Sequence, residues 1–158
     1  MSFVKRSDKV AYYGKGDGTF ERMVGFTDIS VSKNPREYRR QYVDQDFEQS
    51  DVVGFSPSIS FAFDQEKGNS VHDDIVSVSD NELMGEDAVK EIVLADFTDG
   101  DEEKGYKAVK RSFALIVSSE GNSKESYKYS GTLKVKGDKV FGVVKSEDNF
   151  KTVTFTQA

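Results

Sequence analysis

Alternating hydrophobic and polar positions run along much of this chain. Residues 127–136, YKYSGTLKVK, place tyrosine, leucine and valine on one parity and lysine, serine and threonine on the other. Residues 58–64, SISFAFD, alternate in the same way, and so do residues 107–118. Because successive side chains of a β-strand point to opposite faces, each segment predicts a strand with one apolar and one polar face.

Further apolar runs predict a total of about eight strands. Residues 10–13 and 19–32 flank the glycine-rich GKGDG, which is typical of a hairpin turn. Residues 88–97 predict another strand. The last third of the chain predicts a meander of strands at 127–136, 139–145 and 150–156. With no internal repeat or linker in the sequence, residues 1–158 are expected to form one domain.

One segment has the period of an amphipathic helix. Its apolar stripe consists of Val71, Ile75 and Val78. These residues follow each other at the i, i+4 and i+7 spacing of one helix face. Ser70 and Asp73 have the spacing of a capping box in its looser form. We therefore predict a helix over residues 70–80 that covers a sheet.

Residues 33–57, KNPREYRRQYVDQDFEQSDVVGFSP, show neither the alternation of a strand nor the 3.6-residue period of a helix. A connection of this length without evident structure is uncommon in a compact domain, so we expect it to be functional or ordered by a neighbouring molecule. Tyrosine and arginine are favoured in protein interfaces, which makes an interface the preferred interpretation and a solvated loop the alternative. The candidate interface residues are Arg36, Tyr38, Arg39, Arg40, Tyr42, Phe47 and Phe55.

Composition supports a β-rich fold with a thin core. Valine, isoleucine, phenylalanine and tyrosine together far outnumber leucine, alanine and methionine, and β-branched and aromatic side chains favour strands. Apolar residues with glycine, counted without tyrosine, make up about 40% of the chain, below the usual ~45–50%. A two-layer β-structure whose subunits cover one another fits these proportions.

Charge and cysteine content exclude several classes of function. The formal net charge of −6 opposes tight binding to nucleic acid, which depends on cations that neutralise phosphates. The absence of cysteine excludes disulfides and thiolate metal sites. The sequence has neither the apolar run of a membrane span nor the apolar region of a signal peptide at its start. We expect a soluble protein, made without a secretory signal, that has no membrane partner.

The sequence gives no support for catalysis. Its one histidine, His72, lies beside Asp73 and Asp74, but adjacent residues of a helix point away from one another. We predict a surface or capping role for it. The GKGDG turn lacks the G-x-x-x-x-G-K-[ST] pattern of a phosphate-binding loop and the helix that follows such a loop. The G-x-S-x-G motif of a nucleophile elbow does not occur.

An acidic run at residues 99–103 raises the question of a calcium site. An EF-hand loop beginning at Asp99 requires glycine at its sixth position and glutamate at its twelfth, where this chain has Lys104 and Lys110. A solvated loop is the better interpretation. We therefore predict no enzyme activity, no metal and no cofactor.

Four stretches resemble the tail tube, or major tail, proteins of long-tailed bacteriophages and related phage-like particles. They are VAYYG, GFTDISVSKNPREYRRQYVDQDFEQSDVVGFSPSISFAFD, GNSVHDDIVSVSDNELMGEDAV and YKYSGTLKVKGDKVFGVV. The resemblance spans nearly the whole chain. It implies a mainly β fold, a barrel-like sandwich of two packed sheets with one flanking helix. It also implies a structural virion protein of the phage tail that is made in the cytoplasm of the bacterial host.

The resemblance further implies a mode of assembly. Six-subunit rings would stack head to tail into a hollow tube that conducts double-stranded genomic DNA during ejection, without binding it specifically. The long loop of the family, which corresponds to residues 33–57, would contact neighbouring subunits and rings. Strands of all subunits would join one inner barrel, which leaves no open edge within the ring. Other implied partners are the tape measure, terminator and distal tail proteins.

Three alternatives remain open. The inner tube protein of a contractile or bacteriocin-like particle would share this fold. A monomeric small-ligand-binding β-barrel would show the same alternation, but with a large apolar cavity. A hydrolase would require a cleft containing His72 or paired carboxylates with shifted pKa values.

In a tube, lysines on the channel face would attract DNA, so we expect Lys128, Lys134 and Lys136 outside the channel or paired with acids.

Overall fold

The alternating segments form antiparallel strands in a computed structural model that describes residues 2–158. The strands are β1 (Lys9–Gly14), β2 (Thr19–Arg22), β3 (Phe26–Ser32), β4 (Pro35–Arg40), β5 (Gln49–Phe55), β6 (Ser58–Asp64), β7 (Val89–Asp101), β8 (Gly105–Glu120), β9 (Lys128–Val135), β10 (Val140–Lys145) and β11 (Thr152–Gln157). One α-helix, α1, spans Ser70–Asp80, and short 3-10 turns lie at Arg6–Asp8 and Gly85–Ala88.

Nine of the strands belong to one sheet in the order β10-β11-β2-β1-β7-β8-β9-β6-β3. Because β10 also pairs with β8, the first six strands close into a barrel. The 16-residue strand β8 makes this possible: residues 106–110 pair with β10, and residues 113–120 pair with β9. Strands β9, β6 and β3 therefore extend outward from the barrel wall.

Two apolar cores result, because β1 and β7 bury both of their faces. Tyr12 and Val93 point into the barrel, and their neighbours Tyr13 and Ile92 point away from it. The barrel core contains Tyr12, Phe20, Val93, Ala95, Ala108, Val144 and Val153. The second core lies between the barrel wall, the extension β9-β6-β3 and α1. The predicted barrel-like, two-layer β-fold with one flanking helix is confirmed.

Helix α1 has the predicted bounds, and its predicted apolar stripe is fully buried. Its N-cap is Asn69 and not Ser70: the Asn69 side-chain oxygen accepts a hydrogen bond from the His72 N–H at 3.2 Å. The Ser70 hydroxyl instead donates to the Glu21 carboxylate of β2. The capping prediction was therefore wrong by one residue, because tertiary contact occupies the Ser70 side chain.

A polar network fixes the helix to the barrel. The Tyr13 hydroxyl donates to the Asp74 carboxylate, and Lys90 Nζ lies 3.2 Å from the same group. Burial, followed by the bond to Asp74, raises the pKa of Tyr13, so this phenol stays protonated. One helix side chain is thereby tied to both β1 and β7.

The prediction of a surface or capping role for His72 was wrong. Its side chain is fully buried, and its ring stacks on Phe63 at 4.1 Å between centroids with Phe26 edge-on to it at 5.1 Å. Its Nδ1 accepts the Glu66 N–H, and Nε2 has no hydrogen-bond partner among residues 2–158. Burial lowers the pKa of His72, and the nearby Glu66 carboxylate opposes this only in part.

Two strand predictions also need correction. The run at 19–32 breaks at Gly25, whose φ of 77° lies in the left-handed region, and β3 pairs with β6 instead of continuing the hairpin. The predicted meander fails between β9 and β10, because both pair with the long strand β8. The hairpins β1–β2 and β10–β11 are confirmed. Residues 2–158 form eleven strands, more than the predicted number of about eight.

Candidate subunit interfaces

Strands β4 and β5 form a hairpin that is separate from the main sheet, here termed the arm (residues 35–55). Within residues 2–158 the two strands pair only with each other, from Pro35 opposite Phe55 to Arg40 opposite Gln49. At about 3.4 Å per residue the paired part is roughly 20 Å long. The segment 33–57 is thus not a loop without structure. Its sequence shows no alternation of apolar and polar residues, because no residue of either strand is buried.

All seven predicted interface residues lie in the arm. Tyr42 and Phe47 lie in the connection between the strands, at the arm tip (residues 41–48), and the others lie on β4 and β5. The exposed fraction is 65% for Phe47 and 56% for both Tyr38 and Phe55. Contact of these residues with another subunit stays a prediction. Three exposed valines of the arm were missed: Val43, Val52 and Val53.

Contacts inside the arm are short-range and lie at its surface. The Arg40 guanidinium forms an ion pair with Asp51 across the two strands and lies over the rings of Tyr38 and Tyr42, 5.6 and 5.8 Å from their centroids. Exposed ion pairs contribute little to stability, and an isolated two-stranded hairpin is marginally stable in water. A neighbouring molecule that covered the arm would add the apolar burial that the arm lacks.

The main sheet presents an open edge at β3, and residues 115–120 of β8 pair with a strand on one side only, namely β9. Within the described chain, β3 is hydrogen-bonded to β6 on one side only. Open edges are ready templates for pairing with another strand. This edge is a second candidate surface for self-association.

One face of β3, β6 and β9 is lined with small hydroxyl side chains and is termed the hydroxyl face. Its members are Ser30, Ser32, Ser58, Ser60, Ser130 and Thr132. The pairing register places Ser30, Ser60 and Thr132 in one row across the three strands. The opposite face carries the second core, so strand alternation places the hydroxyl face away from it.

The lysines of β9 have different surroundings. Lys128 lies opposite Asp64 in the register, and Lys134 lies opposite Ser58, both on the hydroxyl face. Lys136, just beyond the strand, forms an exposed ion pair with Glu86 at 3.6 Å. The expected pairing with an acid is confirmed for Lys136.

The remaining sequence candidates are turns. The Asp17 carboxylate accepts the N–H and hydroxyl of Thr19 within the GKGDG hairpin turn, and Asp101 accepts the Lys104 N–H at 2.6 Å between β7 and β8. Within residues 2–158, no three metal-ligating side chains cluster as a metal site. The same residues contain no helix with the length and apolarity of a membrane span. The barrel interior is filled by bulky side chains such as Tyr12 and Phe20, as expected for fewer than eight strands.

Comparison with known proteins gives a structural match without a sequence match. No family model and no curated protein matches the chain. A chain from the tail of an empty gene transfer agent particle, computed with helical refinement and C6 symmetry, superimposes with a TM-score of 0.67 at 15% identity, over 88% of this chain and 98% of that chain. This protein has the fold of a tail protein from a phage-like particle.

A second structure supports the same fold. A chain from the virion of a native gene transfer agent particle matches with a TM-score of 0.57 at 14% identity, again over 88% of this chain and 98% of that chain. Both matches cover nearly the full length of the matched chains.

Proposed function

We propose that this chain is a structural virion protein that self-assembles into stacked hexameric rings and forms the hollow tail tube that conducts DNA during ejection. The observation that carries the proposal is the superposition, over 88% of this chain, on a chain from a particle tail that was computed with C6 symmetry. A sixfold ring repeated along an axis would give a tube. Other tail proteins would cap this tube and set its length.

The open edge of β3 supports ring formation. A strand of the next subunit that paired with β3 would satisfy its free backbone groups and continue the sheet around the ring. Six such junctions would close one large barrel. A barrel of about 16 to 18 strands already encloses an aqueous channel, so sheets from six subunits would leave room for a DNA duplex.

The hydroxyl face is the surface we assign to the channel. Small serine and threonine side chains offer DNA few cations to bind, and Lys128 lies beside Asp64 on this face. Lys134 would then face the channel, contrary to the expectation from the sequence, and Asp28 on the same face lies two strands and four residues away from it in the register. Together with a net charge of −6 per chain, this arrangement would let DNA slide without tight contacts.

Sedimentation velocity and negative-stain electron microscopy of the purified protein test the proposal. We expect sixfold rings or tubes whose fraction increases with protein concentration. Addition of other tail components should set the length of the tubes. A strict monomer at every concentration, with and without those components, would contradict the proposed function.

A further inference from the structure

A cationic pocket lies where the arm joins the barrel and is termed the base pocket. Its cavity of about 580 Å³ is lined by Lys33, Phe55, Pro57, Arg111, Asp138 and Lys139. A smaller cavity of about 110 Å³ shares four of these residues and continues between apolar side chains, among them Ile59, Ile92 and Phe113. The base pocket therefore combines a charged rim with an apolar floor.

The positive charges of the rim are not neutralised within the chain. Among residues 2–158, Lys33, Arg111 and Lys139 have no carboxylate oxygen within 4.0 Å, although Asp138 also lines the cavity. The Arg111 Nε donates to the Gly137 carbonyl at 2.6 Å, which holds the guanidinium in place. The Lys33 ammonium, followed by burial and by Arg111, lowers the pKa of Lys139. A carboxylate brought into this pocket would relieve the repulsion.

The arm tip has the complementary chemistry. Its sequence QYVDQDFE places three carboxylates, of Asp44, Asp46 and Glu48, among the exposed apolar side chains of Val43 and Phe47. The acids suit the cationic rim, and the aromatic ring suits the apolar floor. A segment that offers both in a few residues can satisfy both parts of the pocket at once.

Other acidic segments fit less well. The turn between β7 and β8 is acidic, but its aromatic neighbour Phe97 packs against Tyr106 and Phe150 in the barrel core. The connection after α1 combines acids with exposed Met84, yet it is held by the backbone bond from Leu83 to Val78 and by the ion pair of Glu86 with Lys136. Among residues 2–158, the arm is the hairpin whose strands pair with no other strand, so its tip is free of the main sheet.

We propose that the base pocket of one copy receives the arm tip of a second copy; this inference rests on the proposed function. The tip of an arm lies roughly 20 Å from its own base, so the contact forms only between molecules. Tip and pocket are different surfaces, so the contact is heterologous. Each copy that is added brings a free tip or a free pocket, and the contact propagates or closes into a ring.

Charge exchange tests the proposal directly. A pocket variant, Lys33→Glu with Lys139→Glu, and a tip variant, Asp44→Lys with Asp46→Lys, should each lower the assembled fraction roughly tenfold, because like charges meet at every contact. An equimolar mixture should recover assembly, since the basic tip then meets the acidic pocket and the native tip meets the native pocket. Sedimentation velocity gives the fractions, and circular dichroism checks the fold.

The matched control carries the same charge change on the β7–β8 turn, Asp99→Lys with Glu102→Lys. This turn variant should assemble like the wild type. Normal assembly of the pocket and tip variants, or no recovery of assembly in their mixture, would overturn the proposal while the wild-type rings still support the proposed function. Absence of wild-type assembly would overturn both.

Crosslinking gives a second test that does not depend on charge reversal. The chain has no cysteine, so a protein with Asp46→Cys and Lys139→Cys carries thiols only at the tip and the pocket. Under copper–phenanthroline oxidation the assembled protein should give a ladder of covalent multimers on a non-reducing gel. A protein with Asp99→Cys and Lys139→Cys should give no ladder. A ladder from the Asp99→Cys/Lys139→Cys protein, with none from the Asp46→Cys/Lys139→Cys protein, would contradict the proposed contact.

Discussion

The arm and strand β6 are both antiparallel β-structure, yet they are held by different forces. Strand β6 has a partner strand on each side and buries Ile59, Phe61 and Phe63 in the second core. The arm leaves all of its large side chains exposed or half-exposed and has no strand beside it within the described chain. One region stabilises the folded chain, and the other offers a surface to a neighbour. Mutations should therefore separate stability from assembly.

The largest effect on stability is expected in the second core. Phe63 is fully buried and packs on Phe26, His72 and Tyr129. Phe63→Ala should lower the free energy of unfolding by about 3–5 kcal/mol, because it removes apolar burial and leaves a cavity. Urea denaturation measures this loss. A loss no larger than that of Phe47→Ala in the arm would contradict the contrast between the two regions.

Loss of the helix cap should have a smaller effect. Asn69 caps α1 and also donates to the Val24 carbonyl at 2.9 Å. Asn69→Ala should lower the free energy of unfolding by about 1 kcal/mol. Asn122→Ala, in the exposed connection between β8 and β9, is the control and should change it by less than about 0.5 kcal/mol. Equal effects of the two substitutions would argue against the cap.

Acid should weaken the docking of α1 through His72. Because burial lowers the pKa of His72 in the folded chain, the unfolded chain binds the proton more tightly. The stability that neutral His72 contributes to the folded chain is fully present above the ordinary histidine pKa of about 6.5. It is lost as the pH falls below that value. His72→Asn keeps an acceptor for the Glu66 N–H and does not titrate.

The readout is the free energy of unfolding at pH 7.5 and pH 5.5. The wild type should lose more of it between the two pH values than His72→Asn does. An identical loss in both proteins would show that other groups cause the acid sensitivity. The helix itself would then not respond to the protonation of His72.

The smallest effect on stability, with a large effect on assembly, is expected in the arm. Arg39→Ala with Tyr42→Ala removes two exposed side chains and should change the free energy of unfolding by less than about 0.5 kcal/mol. The same variant should lose ring or tube formation while its circular dichroism stays β-rich. Lys124→Ala, at an exposed position outside the arm, should assemble normally. Tube formation by the arm variant would refute its role as an interface.

Sequence patterns predicted the parts of this fold whose elements bury one face. The bounds of α1 and β6 follow from side chains within each segment, and the structure reproduces them. The arm could not be predicted as a hairpin, because alternation comes from burial of one face and both faces of the arm are exposed. The burial of His72 depends on Phe26, a residue distant in sequence whose position is set by the break at Gly25.

Of the two candidate sites, the arm could be found from the sequence and the base pocket could not. The arm was recognised from composition, since arginine, tyrosine and acids crowd one segment between prolines. The base pocket has no local signal, because Lys33, Arg111 and Lys139 are far apart in sequence. The pairing of β8 with β10 brings Arg111 near Lys139, and Lys33 reaches them through the pairing of β3, β6, β9 and β8. Long-range pairing is the information that a single sequence does not display.

Electron cryomicroscopy of the assembled wild-type protein tests self-association most directly. The account predicts a sixfold hollow tube in which every arm contacts a neighbouring copy and the hydroxyl face surrounds the channel. Particles that remain single chains at high concentration, or an oligomer whose arms all project into solvent, would contradict it.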